Sequence, residues 1–180
     1  MPVISLDPDH ILKEQLSRSL GLDKYAKIIR GDLQSPEFQR LFNGYYRVRR
    51  NEVWRKNYYG LFRIAKEQHY GFAQIITVLY ELTGNVEASF SSKMLAAIDP
   101  DQPIWDQYVL KNLGLALTGK TQAEKLASAI LLYGEIERWY RAFLVTDEGR
   151  ACVRAFDRWL PGYAWISSVK KIDCLLWSKR

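Results

Sequence analysis

The chain has 180 residues, 48% hydrophobic and 26% charged, a balance that fits one packed domain and excludes an intrinsically disordered chain. Lys and Arg exceed Asp and Glu by 26 to 20, leaving a net charge of +6, and 13% of residues are aromatic. Charge and aromatic content together suit an anionic partner with flat rings, such as nucleic acid, and equally suit a Trp-rich helical core. No apolar run approaches the ~18 to 20 residues that span a bilayer. Residues Met1 to Asp7 lack the basic end and long apolar stretch of a signal peptide, so a cytoplasmic chain without membrane contact is expected. Cys152 and Cys174, with His10 and His69, make no zinc spacing, so neither a metal nor a cofactor is expected and the thiols are read as reduced.

In chain order, Asp7-Pro8 and Ser35-Pro36 each place a capping residue before a proline at the first helical position. Gly21, Gly31, Gly44, Gly84 and Gly114 follow apolar-periodic stretches, as helix stops do. These signals predict helices over 8–20, 22–30, 36–48, 52–68, 71–83, 87–98 and 104–113. A longer helix follows Thr121, with Ala123, Leu126, Ala127, Ile130 and Leu131 at three- and four-residue steps, running on to Trp139 and Phe143. Thr146 caps a further helix to about Trp159, Pro161-Gly162 breaks it, and Ser167 or Ser168 opens the last, to about Trp177. Nothing alternates with period two long enough to form a strand. The expectation is one all-α domain over residues 1–180, with the more polar residues 1–50 as a peripheral helical subregion.

Chemistry concentrates in three places. Arg47, Arg49, Arg50, Arg55 and Lys56 form a basic run interleaved with Tyr45, Tyr46, Trp54, Tyr58 and Tyr59. The cations suit phosphates and the rings suit unpaired bases; the plainer reading is a solvated helix face whose rings point inward. Arg138, Arg141, Arg150, Arg154 and Arg158 make a second basic stripe. His69, at the junction of two predicted helices, is read as closing a helix end, with acid–base work as the alternative.

The third place runs from Leu82 to Leu113. Leu82-Thr83-Gly84 ends one helix, a tight hairpin follows, a second helix opens near Glu87, and Pro103-Ile104-Trp105-Asp106 begins the next. Asp106 falls in a first helical turn, where an acid also interacts well with the helix dipole. This pattern resembles the helix-hairpin-helix DNA glycosylase superfamily, including its eight-oxoguanine glycosylase-like folds. Leu82-Thr83-Gly84 matches the opening of the family's Leu-Pro-Gly-x-Gly hairpin, and Asp106 matches its aspartate about twenty residues on. The hairpin element is expected near 71–98.

Thr83 and Val86 depart from the family's proline and second glycine, and Ala88 occupies the position of the lysine that lyase members carry. Lys93 lies five residues later, about 140° round the helix. An alternative register on Lys93 leaves thirteen residues to Asp106, and the two registers stay open. The resemblance implies DNA repair by a hydrolase. Asp106 would be the catalytic carboxylate, Lys93 the nearby amine, and Gly84 and the cations at 47–56 would contact DNA. Trp54, Trp105 and Tyr108 would stack on an extruded base. A non-catalytic helical interaction protein on the same scaffold is the alternative.

Overall fold

Helix caps do much of the folding locally, because the first amide groups of a helix lack partners within it. In the computed structural model, which describes residues 6–16 and 21–179, the side chains of Ser35, Asn51, Thr121, Thr146 and Ser167 each accept a hydrogen bond from an amide of the helix they open. Each such cap contributes on the order of 1 kcal/mol. The helices are α1 (Pro8–Leu16), α2 (Leu22–Ile29), α3 (Pro36–Tyr46), α4 (Glu52–Glu67), α5 (Phe72–Thr83), α6 (Ala88–Ile98), α7 (Gln107–Leu113), α8 (Gln122–Leu144), α9 (Asp147–Trp159) and α10 (Ser168–Ser178). A 3-10 turn, Pro161–Tyr163, joins the last two. No strand occurs among the described residues, and the chain is a single all-α domain.

One boundary differs from expectation by three residues, and one lies outside the described residues. The first helix is described only to Leu16, and residues 17–20 of its predicted span lie outside the described residues. The helix expected from 104 begins at Gln107, because Ile104 and Trp105 are buried in an extended segment and Asp106 has the extended backbone of an N-cap. A tertiary hydrogen bond causes this: the Trp105 N–H donates to Ser92 Oγ on α6 (2.9 Å), which holds the segment out of helical register.

Helix α5 is central, packed against α4, α6 and α8, while α10 lies against α1, α7, α8 and α9. The buried cluster is continuous from Leu6 to Leu176 and includes Leu22, Tyr25, Ile28, Phe38, Phe42 and Tyr46 of the early helices. Aromatic contacts run through it: Phe42 meets Phe62 edge-on at 5.5 Å, and Phe72 stacks on Tyr133 at 3.8 Å. Burying a side chain of this size contributes about 1.5–3 kcal/mol. At the α8–α9 junction Gly149 has no room for a side chain, since a Cβ there would stand 2.1 Å from the Phe143 carbonyl oxygen. Cys152 and Cys174 are buried free thiols. No helix of the described residues is long and apolar enough to cross a membrane, and no group of metal-ligating side chains occurs among them.

Candidate functional site

The hairpin between α5 and α6 begins at Gly84, which closes α5 in the left-handed conformation (φ 69°) with its N–H on the Tyr80 carbonyl. Any other L residue there pays a steric penalty. Thr83 stitches the turn: its hydroxyl donates to Leu79 O (2.7 Å) and accepts from the Asn85 N–H (3.3 Å). Val86 packs its side chain against the core. The exposed backbone of the tip is therefore Gly84-Asn85.

Glu87 follows, only 6% exposed, and its carboxylate accepts from Arg50 at 2.8 and 2.9 Å. The Arg50 guanidinium also lies over the Trp54 and Phe90 rings, at 5.5 and 5.4 Å. This pair fastens the basic run to the start of α6, so the run and the hairpin share one region. Arg47, in the left-handed conformation at the end of α3, Arg49 and Lys56 are exposed there, and Arg55 is half-buried near Tyr59.

Lys93 sits further along α6, half-buried, with its ammonium 5.2 Å from the Phe90 centroid and 5.9 Å from that of Tyr46. Burial pushes its pKa below the usual lysine range; the Asp106 charge opposes that shift and the Lys170 charge adds to it. Asp106 is half-buried and caps α7, Oδ1 accepting from the Tyr108 N–H at 2.8 Å. Lys93 and Asp106 are thus electrostatic neighbours without forming an ion pair. Ala88, by contrast, is buried at the first position of α6.

The segment carrying Asp106 is held from three helices. The Pro100 carbonyl accepts from Ser167 at the head of α10 (2.5 Å), the Pro103 carbonyl from Tyr133 of α8 (2.8 Å), and the Trp105 N–H bonds to Ser92 of α6. Ser92 precedes Lys93 and Trp105 precedes Asp106, so one buried hydrogen bond staples the neighbours of both residues.

The rings fall differently. Trp105 is 6% exposed and lies parallel to Phe72 at 6.5 Å, and Trp54 is 9% exposed and stacked on Tyr58 at 4.8 Å. Both are core residues in this conformation, and Tyr108 is half-buried. The hydroxyl of Tyr46 and the indole N–H of Trp54, both buried, lack a hydrogen-bond partner among the described residues. His69 is exposed in the left-handed conformation (φ 54°) between α4 and α5. The second arginine stripe is largely neutralised: Arg138 pairs with Glu135, Arg150 with Asp147 and Arg158 with Asp9.

Sequence reasoning missed the buried polar groups of α10. Lys170, Lys171 and Asp173 are each at least nine-tenths buried. Asp173 accepts from the Tyr140 hydroxyl and lies 3.9 Å from the Lys170 ammonium. Burial pushes Asp173 up to about 6; Lys170, the Tyr140 hydroxyl and the Ile104 N–H pull the other way. The available signal was two cations and an acid inside an otherwise apolar terminal helix.

No family model matches the chain, and comparison with curated proteins and with solved structures returns no match.

Proposed function

We propose that this protein binds DNA and removes a base as an N-glycosylase, with Lys93 as the attacking amine and Asp106 as the catalytic carboxylate. The observation that carries the reading is the surroundings of Lys93: burial favours its free amine, the charge of Asp106, a helix-capping carboxylate, acts on it, and a hairpin and a basic surface adjoin. Amines act as nucleophiles only when unprotonated, and desolvation is a standard way to supply that form. In the proposed reaction the Lys93 amine attacks C1′ of the sugar. The bond from C1′ to the base breaks, its electron pair leaves with the base, and the base takes a proton. The attached nitrogen gives a proton to Asp106, which passes it to the departing base and returns to its carboxylate. Opening of the sugar ring then moves the remaining N–H proton to O4′ and leaves a C1′–Nζ imine, which water hydrolyses to regenerate the amine.

One observation favours a second reading, a non-catalytic interaction protein: Trp54 and Trp105 lie in the core and offer no open face to a base. Incubation with duplex oligonucleotides carrying a panel of damaged bases separates the two. A glycosylase releases a base and leaves an alkali-labile site, and Asp106→Asn slows this by about 10²-fold or more. An Asp106→Asn rate equal to wild type would remove that residue from the mechanism. No release from any duplex, without salt-sensitive binding, would leave the interaction protein.

A further inference from the structure

Lys93 is one of two partly or wholly buried lysines around the same aromatic pair. Lys170 is on α10, with its ammonium 4.9 Å from the Tyr25 centroid and 5.8 Å from that of Tyr45. Tyr45 meets Tyr46 edge-on at 4.7 Å, and the Lys93 ammonium stands over the Tyr46 ring. Two cations therefore flank one tyrosine pair, one on the last helix and the other beside Asp106.

They are not equivalent. Lys170 is 8% exposed and has the Asp173 carboxylate 3.9 Å away. Asp173 is fixed in turn by the Tyr140 hydroxyl of α8. Burial works against the Lys170 charge, but Tyr45, Cys174, Tyr46 and Asp173 together hold the ammonium well above its usual range. Lys93 faces Asp106 from the head of α7, Lys170 from α10, and the Tyr46 and Phe90 rings; Arg50 lies on the same Phe90 ring but is paired with Glu87. Each lysine thus has two ring faces, but among the described residues only Lys170 also has a carboxylate within 4 Å.

We propose that Lys170 is a positioning residue for Lys93: a fixed buried cation, held by Asp173 and Tyr25 on the far side of the Tyr45–Tyr46 pair, that primes the Lys93 amine as a nucleophile. The role assigned to Lys93 rests on the glycosylase reading; the charge coupling does not. A neighbouring cation disfavours protonation of an amine, and a low-dielectric path between the two strengthens the effect.

The test is a side-chain NMR titration of the uniformly ¹³C,¹⁵N-labelled full chain, following the Cε and Nζ resonances of Lys93 and Lys170. The assignments come from Lys93→Arg and Lys170→Arg. In Lys170→Met the Lys93 midpoint moves upward, and in Lys170→Arg, which keeps the cation, it stays at the wild-type value. A Lys93 midpoint that is unmoved or lowered in a folded Lys170→Met overturns the proposal. Should that variant not fold, the wild type decides: the Lys170 resonances carry a second inflection at the Lys93 midpoint, and its absence overturns the coupling. Borohydride trapping on DNA against pH is run in parallel. Its rising limb moves upward with the Lys93 midpoint in Lys170→Met. A shifted midpoint with no trapping in any variant upholds the coupling and removes the glycosylase reading.

Discussion

Two arginine-bearing regions look alike in sequence and differ in the folded chain. Along α8 and α9, Arg138, Arg150 and Arg158 each meet an acid, and Arg141 lies near Glu137. Along residues 47–56, Arg47, Arg49 and Lys56 are exposed without an acidic partner among the described residues, and Arg50 alone is paired, to a buried glutamate. The first region has little net field to offer an anion; the second combines free cations with a structural arginine. Local neutralisation, not the number of cations, decides which surface attracts a polyanion.

The contrast predicts unequal costs for similar substitutions. Arg50→Ala strands the Glu87 carboxylate, whose side chain is 7% exposed, and is expected to cost about 2 kcal/mol in urea unfolding. Arg150→Ala breaks a pair whose acid is fully solvated and leaves the unfolding midpoint close to wild type. Equal midpoints for the two variants would erase the distinction between a structural and a superficial arginine.

Next in size is DNA affinity. Combining Arg47→Ala, Arg49→Ala and Lys56→Ala is expected to weaken duplex binding by about tenfold or more and to flatten the log–log salt dependence by about 0.9 per lost phosphate contact. Combining Arg138→Ala, Arg150→Ala and Arg158→Ala leaves both the affinity and the slope near wild type. Fluorescence anisotropy at several salt concentrations reads both, and the reverse ranking would move the interface to α8 and α9.

The smallest effect concerns the hairpin beside the free cations. A Cβ on Gly84 meets nothing within 4 Å, so Gly84→Ala pays only for its left-handed backbone, about 1 kcal/mol. Gly84→Asn costs less, because asparagine tolerates that conformation. A much larger loss for alanine in thermal unfolding would mean that the turn is packed, not merely strained.

Much of the fold was legible. Ser35-Pro36, the Thr121–Glu124 capping box and Thr146 stand at helix starts where local hydrogen bonding alone requires them. The start of α7 was not, because it depends on the Trp105 bond to Ser92, thirteen residues away. For the candidate site, the family resemblance pointed to Lys93, Asp106 and Gly84 but not to their arrangement: the Arg50–Glu87 pair spans 37 residues, and the segment carrying Asp106 is tied to α6 by the Trp105–Ser92 bond. Lys170 and Asp173 were hidden for a different reason. An amphipathic terminal helix ordinarily turns its charges to solvent, whereas α10 is covered by α1, α7, α8 and α9, which encloses charges on more than one of its faces.

The most direct test of the account is where an amine adduct forms. Borohydride reduction during incubation with duplexes carrying damaged bases or an abasic site, followed by peptide mass mapping, is expected to place the sugar on Lys93. Because burial lowers the Lys93 pKa, the reactive amine fraction rises with pH and reaches its plateau below the pH at which exposed lysines do. An adduct on Lys93 that follows this profile supports the site; an adduct on another lysine, or none on any duplex, contradicts it.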